Sequence, residues 1–198
     1  MKPPENIDEY LHFVAIETAR MSWPGSMMRG EKQILRGGAK QKVEDYFRNK
    51  FPIRNLWDNP ASIANKYDEW HRKMSEELSE VIKPFMVTQG NTPEAVAAKI
   101  LNTYMHQLMK YPKLQIIWPR LHLPLDRKAF NALSKRCVSF AGKEKISDLL
   151  EKKRGQPYSI NRDEYEQLQA VMIEYLQQLR LNTMLEWSSR IELNWLWL

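Results

Sequence analysis

The sequence predicts an all-α fold. Apolar residues recur at intervals of three and four along most of the chain, which is the pattern of amphipathic helices. Residues that favour helix starts precede several of these segments. The chain has 198 residues, 43% of them hydrophobic, which is enough to bury a core without disulfides or structural metals. We expect one orthogonal domain of about eight helices that spans residues 1–198.

Three helices are predicted in the first half of the chain. The first covers residues 8–22 and ends at Pro24 and Gly25, which do not continue a helix. A shorter helix lies around residues 31–50, within a basic, loop-rich segment. A long helix then ends before Pro84, and its core-facing residues are Ile63, Tyr67, Trp70, Met74, Leu78 and Val81.

Capping residues indicate where the helices of the second half begin. Thr92 is placed as an N-cap and Pro93 as the first helical residue. This helix should bury Ala97, Ile100, Tyr104 and Leu108. Asn161 and Glu164 resemble a capping box and start a long C-terminal helix within residues 161–198. Its core-facing residues are Tyr165, Leu168, Met172, Tyr175 and Leu179. Shorter helices are expected at residues 126–137 and 143–154.

The segment "LQIIWPRLHLPL" is apolar enough for a strand but contains Pro119 and Pro124. Each proline removes a backbone donor that a sheet would need. The segment is therefore predicted to be a buried connection.

Composition excludes several classes of protein. The single cysteine, Cys137, excludes an internal disulfide, a four-cysteine zinc site and a four-cysteine iron–sulfur cluster. It suits a reducing compartment. The N-terminus has no apolar run typical of a secretory signal, and no segment approaches the about 18 apolar residues of a membrane span. We expect a cytoplasmic protein that does not bind membranes.

Positive charge is concentrated near the N-terminus. Residues 20–54 contain nine basic and three acidic residues, an excess equal to the formal charge of +6 of the whole chain. Residues 162–198 contain three basic and six acidic residues. This asymmetry indicates an anionic partner for the N-terminal third or an attraction between the two ends.

The spacing within this basic segment favours phosphate binding. Lys32, Arg36 and Lys40 would form one like-charged row on a continuous helix, each pair repelling by a few tenths of a kcal/mol. Gly37 and Gly38 suggest a bend that exposes backbone N–H groups beside these charges. The candidate phosphate-binding residues are Arg29, Lys32, Arg36, Lys40 and Lys42. Aromatic residues interleave with the charges and form either a base-stacking surface or part of the core: Trp23, Tyr46, Phe47, Phe51 and Trp57.

Asp126 is the candidate active-site carboxylate, but a structural role is also open. It stands where an N-cap should stand, a role worth about 1 kcal/mol. Leu125 and Phe130 have the spacing of a hydrophobic staple around such a cap. His122 lies four residues earlier and is either a proton shuttle beside Asp126 or an ordinary loop histidine.

Two segments resemble the helix-hairpin-helix DNA glycosylases. "VTQGNTPEAVAAKILNTY" is similar to their hairpin and following helix, and "LHLPLDRKAFNALSKRC" is similar to the segment of their catalytic aspartate. The resemblance covers about residues 85–137. A second hairpin glycine is missing, and Lys99 falls inside the helix rather than at the position of the lysine nucleophile of bifunctional members.

The resemblance implies a function for three residues. Asp126 would stabilise positive charge on the sugar or activate a nucleophile, while Gly90 and Thr92 would lie against a DNA phosphate. The implied reaction is hydrolysis of a base–sugar bond in a flipped nucleotide, with no metal or other cofactor.

The remaining polar patterns are less informative. The four histidines show no helical metal-binding spacing, and no nucleotide-binding or esterase motif is present. The stripe formed by Lys99, Asn102, His106 and Lys110 is predicted to be a solvent-facing helix face.

The end of the chain, "EWSSRIELNWLWL", is strongly apolar. We expect it to dock into the core or to pack on a second subunit or another protein, with Trp187, Trp195 and Trp197 as anchors.

The function that the sequence favours is DNA binding, with base excision or damage recognition as its specific form. The first alternative is a non-enzymatic helical subunit that assembles through its C-terminus. The second is an enzyme that acts on a small anionic substrate.

Overall fold

The described part of the chain is helical. The computed structural model describes residues 10, 13, 34–87, 90–125, 129–131, 133, 143–153, 156–183 and 190. Its α-helices with defined bounds are α1 (Ala39–Asn49), α2 (Ile53–Asp58), α3 (Pro60–Asn65), α4 (Tyr67–Ile82), α5 (Pro93–Leu108), α6 (Lys143–Lys152) and α7 (Arg162–Thr183). Short 3-10 helices cover Lys83–Phe85, Pro112–Arg120 and Pro157–Ser159. Within these ranges the all-α prediction is confirmed. No helix among the described residues is long and apolar enough to cross a membrane.

The predicted long helix that ends before Pro84 is divided in two. Lys66 has φ −121° and ψ 30°, and this non-helical residue separates α3 from α4. The two pieces pack against different partners, since α3 lies on the 3-10 helix Pro112–Arg120 while α4 lies along α5. Apolar spacing continues across the break, and for that reason the sequence pattern did not reveal it.

The predicted helix around residues 31–50 begins later than expected. Gly38 is its N-cap, with φ 92°, a left-handed conformation that favours glycine. Leu35 instead forms an isolated antiparallel bridge with Met86. Arg36 and Lys40 therefore do not lie on one continuous helix, and the interruption falls at Gly37 and Gly38, where the sequence indicated a bend.

Aromatic residues of α1 and the following turn lie in the core. Tyr46, Phe47 and Phe51 are buried, and the Phe47 ring stacks on that of Tyr104 with centroids 3.9 Å apart. Trp57 is half-buried, with the Lys113 ammonium 4.6 Å from its ring centroid. Tyr46, Phe47 and Phe51 are thus core residues and not a base-stacking surface.

Two helix starts are confirmed in detail. The Thr92 hydroxyl accepts a hydrogen bond from the Ala95 N–H at 3.3 Å, and Pro93 is the first residue of α5. Asn161 and Glu164 form the reciprocal bonds of a capping box, at 2.9 and 2.7 Å. Short-range sequence signals determine both starts.

The Thr92 hydroxyl also links two segments. It donates to the Ile160 carbonyl oxygen, so it joins the start of α5 to the residue before the α7 cap. Replacing Thr92 with valine keeps the shape and removes both bonds. We expect a loss of about 1–2 kcal/mol in the free energy of unfolding, measured by urea denaturation.

The matched control for this change is Thr103→Val. Thr103 lies in the middle of α5, where its hydroxyl bonds the Lys99 carbonyl at 2.9 Å. The control should change the free energy of unfolding by less than about 0.5 kcal/mol, because a mid-helix bond of this kind gives little stability. Equal losses in the two variants would contradict a linking role for Thr92.

Two apolar clusters share α5. The first joins α1, α3, α4 and most of α5, with Leu101 and Tyr104 fully buried at its centre. The second joins α6 and α7 to Ala95 and Ala98 of α5. The predicted core residues of α5 are all buried: Ala97, Ile100, Tyr104 and Leu108. α5 therefore contributes buried residues to both clusters.

The segment after α5 is the predicted buried connection. Leu114 and Ile117 of its 3-10 helix, and then Leu121, Leu123 and Leu125, are buried. This segment crosses from the first apolar cluster to the second, so it closes one side of the space between them.

Candidate functional site

The basic segment lies beside the loop that leads to Gly90. The backbone N–H of Val87 donates to the Ile34 carbonyl at 2.9 Å, and that of Arg36 donates to the Phe85 carbonyl at 2.9 Å. Gly90 follows three residues after Val87, and α1 begins three residues after Arg36. The two segments that the sequence predicts to bind phosphate are therefore neighbours.

The N-terminus of α1 has the properties of an anion-binding surface. Gly38 provides no side-chain bond to the first turn, and that turn contains no acidic residue. Lys40 and Lys42 are exposed there and have no ion-pair partner among the described residues. Two cations at the positive end of a helix are mutually unfavourable unless an anion is nearby. We name Arg36, Gly38, Lys40 and Lys42 the α1 basic surface.

The Arg36 side chain makes one structural hydrogen bond. Its guanidinium donates to the Pro84 carbonyl, which fixes the side chain beside the 3-10 helix that follows α4. It remains exposed, so its charge still adds to the α1 basic surface.

The predicted hairpin residues have different environments. Gly90 is exposed and has φ 91°, and a Cβ added to it would meet no atom within 4 Å, so its backbone is open to a ligand. The Thr92 hydroxyl already accepts from the Ala95 N–H and donates to the Ile160 carbonyl. Backbone groups at Gly90 are thus better placed for phosphate contact than the Thr92 side chain.

A cavity of about 380 Å³ lies between α4, α5 and α7. Its wall includes the carboxylates of Asp68, Glu69 and Glu94 and the rings of His71, His122 and Tyr165. Ala98 lines it too, which places the cavity where the two apolar clusters meet. We name it the interhelical cavity.

A chain of hydrogen bonds, buried except at Asp68, runs along one side of the interhelical cavity. Asp68 Oδ1 lies 2.6 Å from His122 Nε2, and His122 Nδ1 lies 3.1 Å from the Tyr165 hydroxyl. Asn102 Nδ2 donates to that hydroxyl at 2.9 Å, and Asn102 Oδ1 lies 2.7 Å from His71 Nε2. These five residues, which we call the Asp68–His71 network, connect α4, α5 and α7 through His122.

The partners determine where the protons lie. Asn102 Nδ2 also faces the Leu123 carbonyl at 3.4 Å, so its amide oxygen faces His71 and accepts from His71 Nε2–H. An ionised Asp68 accepts from His122 Nε2–H, so His122 Nδ1 accepts from the Tyr165 hydroxyl. Both imidazoles are therefore neutral Nε2–H tautomers, and His71 Nδ1 keeps a lone pair.

Arg190 completes the network from the far end of the chain. Its Nη2 donates to Asp68 Oδ1 at 3.0 Å and to the Arg120 carbonyl at 2.7 Å. Its Nε donates to the Leu121 carbonyl at 3.3 Å. The Arg190 side chain is only 5% exposed, whereas that of Asp68 is 69% exposed. Arg190 is thus a buried cation held by one carboxylate and two carbonyls.

The network shifts the pKa values of its members in consistent directions. The His122 hydrogen bond and the Arg190 charge hold the pKa of Asp68 below its usual range. Burial and the Arg190 charge lower the pKa of His122 to about 4, despite the bond to Asp68. Burial lowers the pKa of His71 and raises that of Tyr165. Asp68 is therefore ionised and both histidines are neutral near pH 7.

His122 lies beside the carboxylate of Asp68. The predicted pairing of His122 with Asp126 involves a residue outside the described part of the chain. Leu125 and Phe130, which flank Asp126 in sequence, are both buried in the second apolar cluster. The predicted site residues that lie outside the described part of the chain are Asp126, Arg29, Lys32, Trp187, Trp195 and Trp197.

Sequence reasoning missed most of the Asp68–His71 network. The prediction that Asn102 faces solvent is wrong, because it is buried and bonded to His71 and Tyr165. A detectable signal existed, since Asn102 lies among the apolar residues of a helix that is buried on most of its circumference. Nothing in the sequence pattern pointed to Arg190.

Comparisons with family models, with curated proteins and with solved structures gave no match for this chain. The function is therefore argued from the geometry of its own residues. Among the described residues, no three histidine, cysteine, aspartate or glutamate side chains are grouped to hold a metal ion.

Proposed function

We propose that the protein binds DNA through the α1 basic surface together with the Gly90 turn. The observation that supports this most strongly is the exposed N-terminus of α1, which has no side-chain cap and carries Lys40 and Lys42 with no acidic neighbour in the first turn. Backbone N–H groups and lysine ammonium groups are the donors that hold phosphates without reading the base sequence.

The finer form of the proposal is base excision or damage recognition, as the glycosylase resemblance implies. Glu94, which lines the interhelical cavity, lies four residues after Gly90 in the sequence. Asp126 is the proposed catalytic carboxylate, and its test is loss of base release by an Asp126→Asn variant that still binds DNA.

DNA binding is tested by the Lys40→Ala/Lys42→Ala double variant. We expect duplex affinity about tenfold weaker than that of the wild type, equivalent to about 1.4 kcal/mol, because two phosphate contacts are lost. The slope of log K against log salt should become shallower by about two. Fluorescence anisotropy of labelled DNA at several salt concentrations measures both quantities.

The charge-matched control is Lys73→Ala/Lys110→Ala. Both lysines are exposed and have no ion-pair partner among the described residues, and both lie outside the α1 basic surface. The control should bind nearly as the wild type does. An equal loss in both double variants would indicate a general charge effect and overturn the proposed site. No salt-dependent binding by the wild type would favour the alternative of a protein-interaction subunit.

A further inference from the structure

The arginines at the interhelical cavity already have partners. Arg72 pairs with Glu166 at 2.6 Å, Arg190 with Asp68 at 3.0 Å, and Arg162 with Glu76. Arg190 also donates from Nε to the Leu121 carbonyl and from Nη2 to the Arg120 carbonyl. An anionic ligand would have to compete with these carboxylates for the arginine charges, which makes the cavity a poor site for a small anion.

The carboxylates of the cavity retain hydrogen-bonding capacity. Glu69 and Glu94 line it and have no ion-pair partner among the described residues. Asp68 receives both of its described bonds at Oδ1, which leaves Oδ2 of an exposed, ionised carboxylate available. The lining therefore has three carboxylates with capacity to accept from a ligand.

A buried histidine adds a directional acceptor. His71 is 2% exposed, lines the cavity and uses Nε2 to bond Asn102. Its Nδ1 has no hydrogen-bond partner among the described residues. The lone pair on Nδ1 can accept a hydrogen bond from an N–H donor that enters the cavity.

We propose that the interhelical cavity binds a small organic cation with several N–H donors, of the amine or guanidine class. Glu69 and Glu94 balance its charge, Asp68 Oδ2 accepts a second N–H group, and His71 Nδ1 accepts a third. The volume of about 380 Å³ lies within the range of small-molecule sites. This site is separate from the α1 basic surface and does not depend on DNA binding.

The test uses agmatine, which carries an amine and a guanidinium group, in calorimetric titration of the full chain. Two probes of similar length and different charge serve as controls, the neutral 1,4-butanediol and the dianion succinate. We expect agmatine to bind at least tenfold more tightly than either. Equal or tighter binding of succinate would overturn the proposal and favour a small anionic substrate.

The variant Glu69→Gln/Glu94→Gln tests the site directly. Glu69 is exposed and Glu94 half-buried, and neither has an ion-pair partner among the described residues. The variant should fold, because each first-turn carboxylate contributes only about 0.3–1 kcal/mol to its helix. Agmatine affinity should fall at least tenfold, while Glu80→Gln/Glu151→Gln, which removes two exposed carboxylates outside the cavity, should leave it nearly unchanged. Equal losses in both variants would show nonspecific attraction and overturn the site.

A spectroscopic readout separates ligand contact from charge alone. In ¹⁵N-histidine-labelled protein at pH 7, agmatine should shift the His71 Nδ1 resonance, because an N–H donor engages its lone pair. The Nε2 resonance, which reports the bond to Asn102, should move less. Agmatine binding without any change at His71 Nδ1 would contradict the proposed placement.

Discussion

Replacing Asn102 with leucine should lower the free energy of unfolding by about 3 kcal/mol. Asn102 is 2% exposed and bonds His71, Tyr165 and the Leu123 carbonyl. Leucine has a similar size but accepts and donates nothing, so the buried His71 Nε2–H would lose its acceptor, at a cost of about 1–3 kcal/mol. The Tyr165 hydroxyl keeps its bond to His122 and the Leu123 carbonyl keeps its bond to Gln169, so each of these losses costs only about 1 kcal/mol.

Urea denaturation measures this loss, and Asn55→Leu is the matched control. Asn55 is exposed, and its side-chain oxygen accepts from Asn59 Nδ2 at 3.1 Å. Because water replaces that bond, the control should change the free energy of unfolding by less than about 0.5 kcal/mol. A similar small effect at Asn102 would mean that the Asp68–His71 network does not hold α4, α5 and α7 together.

Acidification should destabilise the protein well above the pH at which carboxylates protonate. The pKa of His122 is lowered from 6.5 to about 4 in the fold, and the pKa of His71 is lowered in the same direction. Between these values the unfolded chain binds protons that the folded chain does not, so stability falls as the pH drops from about 7 to 4. His122 alone accounts for about 3 kcal/mol over that window.

Two measurements check the pH prediction. Urea denaturation between pH 7 and 4 should show the decline, and histidine NMR should show His71 and His122 still neutral at pH 5. Below about pH 4, protonation of Asp68 should destabilise the protein further, because the pKa of Asp68 is lower in the folded protein than in the unfolded chain. A His122 ring that titrates near pH 6.5 would contradict the buried, neutral tautomer.

Local signals in the sequence predicted local structure well. Thr92 and Asn161 cap helices as expected, because a cap depends on residues only three positions apart. Apolar spacing also identified the buried residues of α5, because one helix face meets the core whatever that core is made of.

Features that depend on distant residues were not predictable. Asp68 and His122 are 54 positions apart, and Asp68 and Arg190 are 122 apart. No spacing rule relates such pairs, since only the packing of α4 against the later segments brings them together. The bridge of Leu35 to Met86 is a further contact between distant residues that no spacing rule indicates.

The glycosylase resemblance concerned Gly90, which is exposed and has open space where a Cβ would stand. It gave no indication of the α1 basic surface beside that turn, because the contact between residues 34–36 and 85–87 is not a property of either segment alone.

Backbone NMR titration tests most directly whether DNA binds the α1 basic surface and the Gly90 turn. Adding a short duplex to ¹⁵N-labelled protein should shift the amide resonances of Gly38, Lys40, Lys42 and Gly90, with the shifts reversed by added salt. Amides in α6, which lies in the other apolar cluster, should move little. Shifts confined to other surfaces, or none at low salt, would contradict the account.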